Sequence, residues 1–87
     1  MLNNKTIVLT GADSGIGLEV LKLIAAEKSN KILAVDINCR NMDKIGDNVI
    51  TYQCDVSSKE GVDSIFEKAI AELGSIDIFY ANAGYPY

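Results

Sequence analysis

The chain has 87 residues, a net charge of −4, 48% hydrophobic and 23% charged residues. That is enough for one small domain with a limited core, too apolar to stay disordered, and too acidic to favour nucleic acid or an anionic membrane surface. With no histidine it cannot host a Ser-His-Asp or Cys-His arrangement, and it shows no cluster with metal-ligand spacing.

No apolar run approaches the ~18 residues of a membrane span, and Met1 to Thr6 holds no signal-like apolar region. Cys39 and Cys54 form neither a C-x-x-C motif nor a disulfide framework, so reduced thiols and a cytoplasmic location are expected.

In chain order, Lys5–Thr10 reads as a strand whose apolar centre, Ile7-Val8-Leu9, suits a sheet covered on both faces. Thr10-Gly11-Ala12-Asp13-Ser14-Gly15-Ile16-Gly17 follows, and then an amphipathic helix to Ala26 with Gly17, Val20, Leu21, Ile24 and Ala25 on one stripe. Strand, glycine-rich turn and helix together form a context for binding phosphate, because unpartnered N–H groups and partial positive charge lie at the helix start. Gly11 would turn the chain off the strand, Gly15 would let backbone approach a phosphate, and Gly17 would let the helix pack close to the sheet. Ser14 is the expected N-cap. A glycine-softened turn with no ligand is the plain alternative.

Lys31–Asp36 is a second apolar strand, and the polar stretch 38–48 reads as a loop with at most a short helix. Val49–Cys54 alternates, as an edge strand with one drier face does. Ser57-x-x-Glu60 fits a capping box, opening a helix with Val62, Ile65, Phe66, Ala69, Ile70 and Leu73 at helical spacing, and Gly74 ends it. Ile76–Ala81 is the fourth strand, leading into Asn82-Ala83-Gly84. This alternation implies an α/β fold. The expected architecture is the N-terminal half of a doubly wound, Rossmann-like parallel sheet, about four strands in order 3-2-1-4, over residues 1–87 as one domain.

Asp36 follows Gly17 by 19 positions, at the carboxyl end of the neighbouring strand. A carboxylate there can accept hydrogen bonds from an adenosine ribose and repel a 2′-phosphate, which favours NAD over NADP. A solvated strand-end Asp is the alternative. Asp55 could equally be a turn residue, Asn82 and Gly84 an ordinary strand exit, and Thr10 a β-branched strand residue. All four positions nevertheless fall at the carboxyl ends of strands, where open α/β sheets bind ligands.

These motifs resemble the N-terminal half of the short-chain dehydrogenase/reductase family: Thr10 to Gly17 matches its TGxxxGIG motif, Asp55-Val56 its adenine-contacting pair, and Asn82-Ala83-Gly84 its NAG motif. The resemblance implies that Gly11, Ser14, Gly15, Ile16 and Gly17 cradle the pyrophosphate, Asp36 binds the ribose, and Asp55 with Val56 reads the adenine. Asn82, Ala83 and Gly84 would line the cleft, with Asn82 and Thr10 bracing the fourth strand against the glycine turn. Asp13 is expected to contribute mostly backbone. The family's catalytic Ser and Tyr-x-x-x-Lys have no counterpart here, since no tyrosine is followed four positions later by lysine. The expected parent is an NAD-dependent oxidoreductase acting on an alcohol or ketone, as a homo-oligomer, with these 87 residues inactive alone. A non-catalytic dinucleotide-binding module and a structural remnant are the rivals. The exposed apolar fourth strand is expected to make the isolated stretch prone to self-association.

Overall fold

The computed structural model describes residues 2–82. Its elements are β1 (Thr6–Thr10), α1 (Gly15–Ala26), β2 (Lys31–Asp36), β3 (Val49–Gln53), α2 (Lys59–Leu73) and β4 (Ile78–Ala81). The four strands form one parallel sheet in the order β3-β2-β1-β4, the order expected.

The apolar runs in β1 and β2 split between two faces because successive side chains on a strand point opposite ways. Ile7, Leu9, Ile32 and Ala34 pack with Leu21 and Ala25 of α1, whereas Val8, Leu33 and Val35 pack with Ile65, Ala69 and Leu73 of α2. One helix per face is the doubly wound arrangement. β3 is an edge strand, with Ile50 and Tyr52 directed to the α2 side.

The expected stripe on α1 is half right in depth: Gly17, Leu21 and Ala25 are buried, while Val20 and Ile24 sit at its margin. On α2 the reading over-buries two residues. Phe66 and Ile70 are 44% and 52% exposed, because the short β4 gives that side of the helix little to lie against. Phe66 instead stacks on Phe79 of β4, ring centroids 5.1 Å apart.

The cap of α2 also differs from expectation. Ser58, not Ser57, is the N-cap; its hydroxyl accepts the Gly61 N–H at 2.9 Å, and Glu60 makes no reciprocal bond. Two contacts move the start by one residue. Ser57 donates its N–H to the Asp55 carboxylate at 2.8 Å, and Gly61 lies so close to the Asp55 carbonyl that a Cβ would come within 1.9 Å of it. Gly74 ends the helix as expected, at φ +83°, donating its N–H to the Ile70 carbonyl.

Two asparagines fasten the end opposite the glycine turn. Buried Asn30 accepts the Lys5 N–H and donates to the carbonyls of Leu2 and Ile24. Asn48 donates to the carbonyls of Ala25, Glu27 and Asn30, which seats the polar loop beneath α1. That loop forms turns without a helix and buries Met42 completely.

Candidate functional site

The glycine turn leaves β1 through Gly11 at φ +67° and enters α1 through Gly15 at φ +56°, a left-handed backbone that only glycine adopts without strain. At Gly15 an added Cβ would meet no atom within 4 Å, so the turn opens onto free space. Gly17 is the reverse case. A Cβ there would lie 1.9 Å from the Gly11 carbonyl oxygen and 2.6 Å from Asn82 Nδ2, so the first turn of α1 sits directly on the β1–α1 loop and the end of β4.

Ser14 occupies the N-cap position with extended backbone, but its hydroxyl makes no capping bond, contrary to expectation. Among the described residues, no side-chain bond caps the first N–H groups of α1. Ile16 beside them is 72% exposed.

Asp36 ends β2 with its carboxylate held on both oxygens. Oδ2 accepts the Asp13 N–H at 3.0 Å, and Oδ1 accepts the N–H groups of Ile37 at 2.7 Å and Asn38 at 3.4 Å. A carboxylate oxygen accepts about two hydrogen bonds, so Oδ2 retains capacity for a ligand hydroxyl.

Asn82 closes the other side. Its N–H donates to Thr10 Oγ1 at 3.1 Å and its Nδ2 to the Gly11 carbonyl at 3.4 Å, the bracing that the resemblance implied. Ala83 and Gly84 lie outside the described residues.

Asp55 and Val56 follow β3, joined to this edge by the Cys54 N–H, which donates to the Asp36 carbonyl at 2.9 Å. Asp55 is exposed, and the Ser57 hydroxyl and N–H hold its carboxyl below the usual carboxylate range. Val56 is half-buried against the α2 core, so only part of its side chain faces outward.

Asp13 corrects the sequence reading, because its side chain, not just its backbone, is engaged. Only 5% exposed, it accepts the N–H groups of Asn41 at 2.6 Å and Met42 at 2.9 Å, while Asn41 Nδ2 donates to its carbonyl at 2.8 Å. Nothing local marks this, since the partners lie 28 and 29 positions away. Ile37, which brings no positive charge for a 2′-phosphate, is 58% exposed and donates its N–H to the Asp36 carboxylate. Cys39 lies nearby, and burial, followed by the carboxylates of Asp43, Asp13 and Asp36, pushes its thiol up from the ordinary value.

Residues 5–86 match the short chain dehydrogenase family. The chain belongs to that family. Among curated short-chain dehydrogenases, the 2,5-dichloro-2,5-cyclohexadiene-1,4-diol dehydrogenase of Sphingobium indicum is 32% identical over 98% of this chain and 35% of its own length. The 3beta-hydroxysteroid dehydrogenase 1 of Eggerthella lenta is 31% identical over 95% of this chain and 34% of its own. Among solved structures, the 3-ketoacyl-(acyl-carrier-protein) reductase of Brucella melitensis, complexed with NADH, superposes at a TM-score of 0.81 with 31% identity. It covers 91% of this chain and 34% of that one. An NAD+-bound xylitol dehydrogenase superposes at 0.79 with 32% identity, over 95% of this chain and 34% of that one. The chain thus spans about a third of the length of the short-chain dehydrogenases it matches.

Proposed function

We propose that these residues form the NAD-binding portion of a short-chain oxidoreductase that transfers hydride between NAD(H) and an alcohol or carbonyl substrate. The observation that carries this reading is the Asp36 carboxylate, fixed by three N–H groups at the end of β2 and tied to a glycine turn with an open, uncapped helix start. The residues fit the group they would hold. Gly11, Ser14, Gly15, Ile16 and Gly17 would receive the pyrophosphate, whose charge the helix N-terminus favours. Asp36 would accept a hydrogen bond from the ribose diol and repel a 2′-phosphate, so NAD is the preferred cofactor. Asp55 and Val56 would face the adenine, and Asn82, Ala83 and Gly84 would line the cleft.

The cofactor supplies the hydride chemistry; the protein supplies orientation. The acid-base group is not among these 87 residues, because none of the four tyrosines has a lysine four positions later. Residues 1–87 alone are therefore proposed to bind cofactor without turning over substrate.

Titration of the intact protein with NAD and NADP tests this. Micromolar NAD binding with NADP at least ~10-fold weaker is expected, the factor of one hydrogen bond to a charged group. Absence of binding to either dinucleotide overturns the reading. The alternative, a dinucleotide-binding module without catalysis, is separated from this reading by the intact mass of the polypeptide in its source cell: 9.4 kDa favours the module, and a chain two to three times longer favours the enzyme.

A further inference from the structure

We propose that Asp13 is a positioning residue for the cofactor site: its buried carboxylate locks the β2–β3 loop to the glycine turn and thereby fixes Asp36. The inference rests on the NAD reading above and deepens it.

The phosphate side and the ribose side of the site follow neighbouring strands, and the β1–β2 pairing, which runs up to Thr10 and Val35, aligns the strands but not the loops beyond them. Here Asp13 links them twice. Its N–H donates to Asp36 Oδ2 at 3.0 Å. Its carboxylate reaches 28 and 29 positions along the chain to accept the N–H groups of Asn41 and Met42, and Asn41 Nδ2 returns to the Asp13 carbonyl at 2.8 Å. Ala12 adds a third tie, donating its N–H to the Val35 carbonyl at 3.2 Å. The loop that leaves Asp36 therefore comes back under the glycine turn and is clamped there, with fully buried Met42 as its anchor in the α1 core.

The chemistry of the side chain suits a clamp. A carboxylate in a 5%-exposed position is retained only when hydrogen-bonded, and here Oδ1 accepts two backbone N–H groups whose place defines the loop, while Oδ2 accepts Asn41 Nδ2 at 3.4 Å. A loop so held presents the Ile37 and Asn38 N–H groups to Asp36 Oδ1 and keeps exposed Ile37 beside the ribose position. Releasing the clamp frees the Asp36 carboxylate to rotate and weakens recognition of the ribose diol. The glycine turn would still bind phosphate, so the loss falls on discrimination between NAD and NADP.

The test compares Asp13→Ala, Asp13→Asn and Ile65→Val in the intact protein. Ile65 packs in the α2 core and serves as a control for destabilisation outside the site. Each is measured for NAD and NADP affinity by titration and for exchange of the Met42 amide by hydrogen–deuterium exchange. Asp13→Ala is expected to weaken NAD about tenfold, to narrow the NAD-to-NADP ratio, and to speed Met42 exchange. Asp13→Asn keeps an oxygen able to accept both N–H groups and is expected to restore NAD affinity to within about threefold, while Ile65→Val leaves the ratio unchanged. Wild-type NAD affinity and ratio in Asp13→Ala would overturn the inference while leaving the cofactor reading intact. So would an Asp13→Asn protein as impaired as Asp13→Ala, since charge rather than the clamp would then be responsible. Wild-type protein that binds neither dinucleotide would overturn the cofactor reading, and the inference with it.

Discussion

Gly17 and Asp36 show how much a single position decides at the carboxyl edge of this sheet. Gly17→Ala places a methyl group within 1.9 Å of the Gly11 carbonyl, a backbone atom that cannot move without displacing the end of β1. A loss of at least ~1–3 kcal/mol is expected, read by urea denaturation as a lower midpoint. Asp36→Ala removes an acceptor that three N–H groups share. NAD affinity should fall roughly 10-fold or more and the NAD/NADP gap should narrow; an unchanged preference in a titration would refute the ribose assignment. Both residues were legible in the sequence because their signals are local: a glycine at fixed spacing after a strand, and an acid about one βαβ unit further on. Asp13 was not legible in that way. Its partners arrive only when the loop folds back, so the residue reads as a neutral filler of the turn.

The helices and strands follow the periodicity of their apolar residues closely, and the differences lie at their ends. Helix α2 begins on Ser58, although Ser57-x-x-Glu60 has the better motif, because the Asp55 carboxylate engages Ser57 first. Ser58→Ala should accordingly cost about 1 kcal/mol in denaturant unfolding, while Ser57→Ala should cost little by way of the cap and should raise the Asp55 pKa toward its ordinary value. Strand β4 is shorter than the apolar run at its start: pairing begins at Ile78, and Asp77 before it is fastened to β1. The Thr6 N–H donates to Asp77 Oδ2 at 2.9 Å and the Thr6 hydroxyl at 3.1 Å, and these bonds hold the carboxyl below the usual carboxylate range. A carboxyl with a depressed folded pKa contributes stability that is present above its unfolded value, near ~4, and is lost as pH falls through the folded value. Asp77→Asn should therefore lower the melting temperature at pH 7 and flatten its fall as pH drops below about 4, as scanning calorimetry across acid pH would show.

At the scale of the whole molecule the sheet has two unequal edges. β3 is backed by α2 on one side and by the Asn48 loop on the other, but β4 leaves Phe79, stacked on Phe66 of the α2 face, and Tyr80, on the opposite face, exposed by 36% and 42%. A strand edge with no partner among the described residues, flanked by aromatic and aliphatic side chains, is a template for further pairing. A polypeptide limited to residues 1–87 is expected to self-associate at micromolar concentration, visible by sedimentation velocity. A sharp, monomeric two-state melt well above room temperature would count against this.

The alternation of strands and helices and the placement of the glycine turn were carried by sequence, because each depends on residues within one element or one βαβ unit; the order 3-2-1-4 followed from the doubly wound pattern that this alternation implies. The tertiary structure alone decided which polar groups found partners. It chose Ser58 over Ser57 as a cap, left Ser14 without a capping bond, turned Phe66 outward onto Phe79, and brought Asp13 to the N–H groups of Asn41 and Met42. A hydrophobic stripe is a periodic signal that the chain displays before it folds. A hydrogen bond to a backbone N–H nearly thirty positions away has no period, and its donor takes up its place only when the loop has closed.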